Sequence, residues 1–536
     1  MFMKKHLICC LILLYSINAF SQAQFNRAYG QASVYDEFFS VCETPDGGFA
    51  FFGNTIDTIS QLTDLLLVKT DYNGIQIWSK SFSYNLDLFG IKIASNSIGE
   101  LYLTGNTFEN TPPYDDIVLI KTDDTGNLLW SNRYGGADID DATDMIIDTA
   151  GNIVISGFTY SFGTVLKSGF VLKANPSGVL NWSKTYSQNI NQEFNGILNT
   201  NDGGYLMCGL TQRPSGINFD GYAVKTDGNG VVDWSFRLGG SGTETFYHAW
   251  QDAAQDIYIA GAASSGTPST NLDGWLVKGD ANGNFASFNY TYGSPAVDRT
   301  YNIVGSPSFA PDIRLTGHTN NANGFENNLF LDVNKSTGAL SGGTPLLAGS
   351  STGDSRALTS IPTSDGSFME AGFIFYPGNI PGDAYAVKYS PIMSPCQVVI
   401  ASITATNQTF NFDYAISNGT TETIAAATSS PIVLNTNQPI INTHTFCAVV
   451  DVKGNKSPIQ FNISPNPVST VLRIGSEMLN GEPLPVQIFD MHGQVLMQTF
   501  ITKSDAQIPV AKLKPGVYQI VLGSDRPVIK KFIKIE

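Results

Sequence analysis

Charge is scarce in this chain of 536 residues: Lys, Arg, Asp and Glu together make up 14%. No long Ala/Glu/Lys/Leu-rich amphipathic stretch occurs, which argues against coiled coils and helical bundles. There are five histidines, and His6 sits in the N-terminal leader. No H-E-x-x-H, paired-cysteine motif or phosphate-binding glycine loop is present. The common zinc, thiol-redox and nucleotide chemistries therefore lack a sequence basis. After the leader no apolar run is long enough to cross a bilayer, so no transmembrane segment is expected.

What is abundant is glycine, 52 in all, with many Asn, Ser and Thr. That profile favours an all-β chain with many turns. Residues 1–21 read as a secretory signal peptide. Lys4 and Lys5 precede a short apolar core, Leu7 to Tyr15, and Ala19-Phe20-Ser21 suits a cut before Gln22. Cys9 and Cys10 lie inside the apolar run, where a lipoprotein anchor would not be. Cys42 and Cys208 sit in apolar, strand-like runs and read as buried free thiols. Cys396 and Cys447 flank one polar β-like segment of an exported chain and are expected to form a disulfide. The net charge of −16 is uneven: residues 22–462 carry 20 basic and 40 acidic groups. Nucleic acid is thereby disfavoured as a partner, whereas cations or basic surfaces are permitted.

The chain repeats. "VKTDYNGIQIWSKSF" recurs with small changes, placing Trp78, Trp130, Trp182 and Trp234 at intervals of 52. Gly53, Gly105, Gly157, Gly209 and Gly261 keep the same step at the end of an apolar strand, with weaker copies at Gly317 and Gly372. A strand-end lysine follows in step, except that Asp332 replaces it in the sixth unit. Each unit reads as four short antiparallel strands, and that period is the signature of propeller blades. Seven glycines predict seven blades. The seventh unit stops after three strands, while the chain begins with a lone fourth strand, "FNRAYG", in which Phe25 takes the Trp place. The N-terminal strand should therefore complete the last blade.

These residues resemble the β-propeller repeats of exported Bacteroidota-type proteins, over about 25–390. The T-D-x-x-G-x-x-x-W piece is also similar to the Asp box of sialidases, a structural element in that family, with spacing that differs by a residue or two. Residues 461–536 break the repeat. Pro465-Asn466-Pro467, then Asp490, Gly493 and Leu496, then Leu513, Pro515, Gly516 and Tyr518, and finally Lys530, Lys531 and Lys534, resemble in order the type A C-terminal sorting domain of the type IX secretion system. That resemblance implies a small β-sandwich and the type IX machinery as partner. It also implies passage through the periplasm to the surface or the medium. The segment 391–460 reads either as a β-rich linker or as a small disulfide-closed domain.

Chemistry is thinly signalled. An acid follows each Trp place by about ten residues: Asp36, Asp87, Asp140, Glu193, Glu244, Asp298 and Asp354. A second set, Asp64, Asp116, Asp220, Asp273 and Asp383, begins the third strand at the same face. Two readings stand. One is a carboxylate-lined mouth for Ca²⁺ or a cationic ligand. The other is repeated capping of backbone N–H groups. No catalytic residue is assigned and no cofactor is required. His248 and His318 read as structural. Arg27, Arg133 and Arg237 lie on outer strands, away from any shared central site. The leading expectation is a monomeric binding module for a glycan or surface protein. A carbohydrate-active lyase or glycosidase, or a structural surface-layer component, are the alternatives. An acid-His-Arg cluster at the channel mouth would favour the enzyme.

Overall fold

The computed structural model describes residues 25–389 apart from short internal segments, seven short strands between 398 and 448, and most of 462–535. The leader, Cys396, Pro467 and Gly493 lie outside the described residues. The described elements are all strands. The chain divides into Ala23–Val449 and a second unit containing Val450–Glu536.

Seven five-stranded antiparallel sheets make up the first unit, a seven-bladed β-propeller. In the first blade the order is Asp36–Glu43, Phe49–Ile56, Thr63–Thr70 and Gln76–Ser83. The two middle strands are buried almost throughout, which explains their unbroken apolar runs: a blade packs against a neighbour on both faces. The seventh blade takes its fourth strand from the chain's beginning, with Phe25 opposite Lys388 and Tyr29 opposite Ala384. Phe38, Val41, Phe49 and Phe51 of the first blade share a core with Met369, Ala371, Ala384 and Ala386 of the seventh.

The repeated glycine is not a strand end but a strand interior. Gly53 lies within Phe49–Ile56, opposite Phe38, where the inner strand carries a β-bulge. A methyl group there would run into the carbonyl oxygen of Glu37. Gly105, Gly157, Gly209 and Gly261 meet the same obstacle at Phe89, Asp141, Glu193 and Thr245. Glycine is required because the bulge swings that carbonyl inward.

Blades interlock through the turn between strands three and four. Its glycine has positive φ, 77° at Gly126 and 79° at Gly178. The preceding blade's tryptophan lies on that turn. A Cβ added at Gly126 would stand 2.7 Å from the Trp78 ring, and at Gly178 3.0 Å from Trp130. Trp182 meets Gly230, Trp234 meets Gly283 and Phe25 meets Gly74 in the same way. A tyrosine adds a hydrogen bond to the same turn: Tyr134 Oη donates to Gly178 O at 2.6 Å, Tyr186 to Gly230 O at 2.9 Å, and Tyr29 to Gly74 O at 2.8 Å. Trp78 packs at the margin of its cluster and is only partly buried, whereas Trp234 is 9% exposed. On the same face each strand-end lysine pairs with an acid of the blade's first turn, as Lys69 does with Asp46 at 2.9 Å and Lys388 with Asp365 at 2.7 Å. In the sixth blade the polarity is swapped: Asp332 pairs with Arg314 at 2.6 Å.

Segment 398–448 does not stand apart from the propeller. Val398–Ile400, Thr404–Asn407, Ala415–Ile416, Thr421–Ile424, Thr428–Pro431, Asn435–Asn437 and Asn442–Ala448 each add a fifth strand, to blades six, five, four, three, two, one and seven in that order. The strap runs back around the ring against the order of the blades. Each of its strands pairs antiparallel with an outer strand, as at Thr436 opposite Phe82 and Ser430 opposite Arg133. On the seventh blade it covers the N-terminal strand, and Cys447 lies opposite Asn26.

The C-terminal unit has a three-stranded and a four-stranded sheet. Val468, Leu472, Ile474, Val486, Ile488 and Ile520 form its core. The motif residues are structural: Asn466 Oδ1 accepts from Ile533 N at 2.8 Å, Tyr518 Oη donates to Lys514 O at 2.7 Å, and Gly516 and Lys531 sit on the last paired strands. Pro465 follows a cis peptide bond.

Two outcomes follow. Gly126→Ala should cost about 2–4 kcal/mol, combining left-handed backbone strain with overpacking against Trp78; a denaturant midpoint equal to wild type would contradict the interlock. A chain ending at residue 390 leaves outer edges uncovered. It should self-associate in size-exclusion chromatography, whereas one ending at 449 should not.

Candidate functional site

The glycine-enforced bulge decides what each inner strand shows to the central channel. The residue before the bulge stands at the channel mouth and is at least partly exposed in six of the blades, the fifth blade's Thr245 being buried. Around the ring these residues are Glu37, Phe89, Asp141, Glu193, Thr245, Arg299 and Arg356. The sevenfold pattern breaks here. Blades one, three and four contribute acids, while blades six and seven contribute arginines.

The basic side is a connected group. Arg356 Nε donates to Glu326 Oε2 at 2.7 Å. His318 Nε2 lies 3.8 Å from Glu326 Oε1. The Tyr301 ring packs over His318 at 5.3 Å and meets Tyr247 edge-on at 5.0 Å. Arg299 lies within electrostatic reach of Tyr301, Tyr247 and Glu326. His318 is 2% exposed. Burial, then Arg356 and Arg299, lower its pKa to about 3, so it is neutral at pH 7. The cluster contains an acid, a His and two arginines from blades six and seven, none of which the sequence reading had brought together.

The acidic side is largely satisfied within the protein. Glu193 Oε2 pairs with Lys167 Nζ at 2.7 Å, and that ammonium lies 4.0 Å over the Phe158 ring. Glu37 accepts from Tyr35 Oη at 3.0 Å and Asn54 Nδ2 at 3.2 Å. Asp141 differs: burial, with Asp115 adding, raises it to about 7.

Just past the bulge, Lys92 Nζ pairs with Asp144 Oδ1 at 2.9 Å. Asp144 Oδ2 also accepts from Ile197 N at 3.0 Å, tying two blades together. His248 occupies the same strand position in blade five as Lys92 does in blade two. Burial and then Lys92 lower its pKa to about 4.

The seven acids do not share one register. Asp36, Asp140, Glu244 and Asp298 lie opposite Thr55, Thr159, Ala263 and Thr319 and are fully buried. Leu88, Gln192 and Ser355 take that place in the other units. Asp87 and Asp354 fall one residue earlier, and Glu193 one later. The buried ones cap local backbone: Asp140 accepts from Gly136 N at 2.7 Å, Glu244 from Gly240 N at 2.8 Å and Asp298 from Ser294 N at 2.6 Å. Gln192 accepts from Gln188 N at 2.6 Å in the same manner. An uncharged amide therefore does the same work. Asp87 and Asp354 accept from Thr63 N and Glu326 N. In the second set, Asp116 pairs with Arg133 at 2.5 Å, and Asp220 with Arg213 at 2.5 Å and Arg237 at 3.4 Å. The outer-strand arginines thus serve these acids. Among the described residues no group of three or more His, Cys, Asp or Glu is placed to hold a metal ion.

The two faces should respond oppositely to pH. On the mouth side Asp273 is raised to about 7 by burial and then Asp298, as Asp141 is raised to about 7. Such carboxyls bind their proton more tightly when folded. Their contribution is complete below the unfolded value near 4 and is lost as pH rises through the folded value. On the lysine face burial alone would raise Asp202, but Thr200 and Lys225 outweigh it and bring it down to about 2. That contribution is present above the unfolded value and lost as pH falls towards 2. Thermal stability should therefore peak near pH 4, where the two contributions cross at the unfolded value, and fall by several degrees by pH 8. Asp141→Asn with Asp273→Asn should flatten the fall; an unchanged profile would count against these assignments.

Comparison with known proteins places the C-terminal unit. No curated protein sequence matches the chain. Among solved structures, Sqt1 from Chaetomium thermophilum is similar at 10% identity, over 68% of this chain and 99% of that one, with a TM-score of 0.36. The extracellular domain of a one-component system from B. thetaiotaomicron is similar at 10% identity, over 96% and 99%, with a TM-score of 0.17. Residues 462–536 match the secretion system C-terminal sorting domain. They span the proline, tyrosine and lysine motifs described above, so this protein carries a type IX sorting signal and is delivered to the cell surface or beyond it.

Proposed function

We propose that the protein is a binding module of the cell surface or medium that holds its ligand at the channel mouth. The observation that carries this reading is the broken symmetry there. Residues kept for packing recur from blade to blade, as the turn glycines and the bulge glycines do. Glu37, Asp141, Glu193, Arg299 and Arg356 occupy one repeat position with opposite charges. The repeating architecture does not require that division, and a ligand with unlike ends would use it.

A second reading, an enzyme acting on carbohydrate, draws on the Glu326, His318 and Arg356 group. It is weaker because the His318 ring is 2% exposed and covered by Tyr301, out of reach of a substrate proton.

A glycan and surface-protein array probed with the full chain tests the proposal. Ligands should be lost with Tyr301→Ala and kept with Asp124→Ala, a change on the opposite face. Retention of every ligand by Tyr301→Ala would remove the mouth from consideration. Chemical conversion of a bound glycan would move the assignment to the enzyme.

A further inference from the structure

The arginine side of the mouth has more hydrogen-bond donors than the protein uses. A guanidinium carries five N–H donors and no acceptor. Arg356 directs two of its nitrogens at one oxygen, Glu326 Oε2. Arg299 lies near Tyr301, and its Nε is buried without a partner among the described residues. The Nδ1 of His318 is likewise buried and unpartnered. One carboxylate, Glu326, thus faces two guanidiniums, while its backbone N–H is held by Asp354. Beside it Tyr247 and Tyr301 meet edge to face and form an aromatic corner.

We infer that Arg299 and Arg356 receive the carboxylate of an acidic saccharide whose sugar ring rests against Tyr247 and Tyr301. The inference rests on the mouth being the binding face. Planar guanidiniums match a carboxylate in two-point geometry. An aromatic corner suits the C–H face of a pyranose. Glu193 of the fourth blade and Glu37 of the first, which adjoins the blade of Arg356, are acceptors, and Tyr247 lies within electrostatic reach of both Glu193 and Arg299. A uronic acid has one carboxylate for the arginines and several O–H donors for these carboxylates. An acidic peptide matches less well, since it offers few hydroxyl donors and its other carboxylates would approach the acids of blades one and four.

The test is calorimetric titration of the full chain with uronic-acid oligosaccharides, neutral oligosaccharides of equal length, and a glutamate-rich peptide. Uronate oligomers should bind, and neutral oligomers should bind at least about tenfold more weakly, as expected for losing one charge-assisted contact. Arg299→Ala should lower uronate affinity about tenfold or more without moving the melting temperature. Arg356→Lys keeps the charge and the Glu326 pair but loses the fork, and should weaken uronate binding less. Equal binding of neutral oligomers, unchanged uronate affinity in Arg299→Ala, or preference for the peptide would each overturn the inference. A ligand lost with Tyr301→Ala but unaffected by Arg299→Ala would overturn it while leaving the mouth as the binding face. A ligand unaffected by both would remove both readings.

Discussion

The ring depends on one contact, repeated: an aromatic side chain of one blade lying on the left-handed glycine turn of the next. The turn must be glycine on two counts, its positive φ and the ring pressed against it. The tyrosine hydroxyl that donates to the same glycine carbonyl fixes the angle as well as the distance. This contact holds six of the seven junctions between blades; the seventh blade, whose fourth strand is the chain's beginning, has no such turn to offer the sixth. The lysine-acid pairs lie beside these turns and add electrostatic order to the same face.

At the other face a second glycine governs. By admitting a bulge it frees the mouth residue from the sheet's repeat: Glu193 reaches Lys167 of the third blade, Arg356 reaches Glu326 of the sixth, and Glu37 bonds Asn54 of its own blade. The identity of the mouth residue can therefore vary. One position earlier, the buried Asp140, Glu244 and Asp298 hold backbone N–H groups, and Gln192 does the same as an amide. This difference explains why acids that look equivalent along the chain separate into caps and mouth residues. It also separates the pH behaviour: carboxyls buried without enough cations rise, and those paired with lysine fall.

The strap connects the propeller to its export signal. A four-stranded blade leaves its outermost strand with an open edge, and the fifth strands cover it on all seven blades. Because the strap arrives last in the chain and finishes over the N-terminal strand, the seventh blade holds three widely separated parts of the sequence in one sheet. The sorting domain begins only after this wrapping is complete.

Periodicity made the blades legible before any coordinates. Tryptophans and glycines in step record a packing unit that must repeat, and the sorting motifs record a second small fold. The completion of the last blade by Phe25–Gly30 was legible as well, because a missing strand and a spare one match. The strap was not legible. A strand held through its backbone needs no apolar stripe, so its Thr- and Asn-rich segments resemble a linker. Spacing from the tryptophan marks acids and not the arginine cluster; counted from the bulge glycine, Arg299 and Arg356 take the same repeat position as Glu37, Asp141 and Glu193. By itself the sequence determined the repeat, the export route and the residues that must be small, since these follow from local sterics and periodicity. Only the tertiary structure decided which charges meet, because Arg299, His318, Glu326 and Arg356 become neighbours only when strands of two blades are placed side by side.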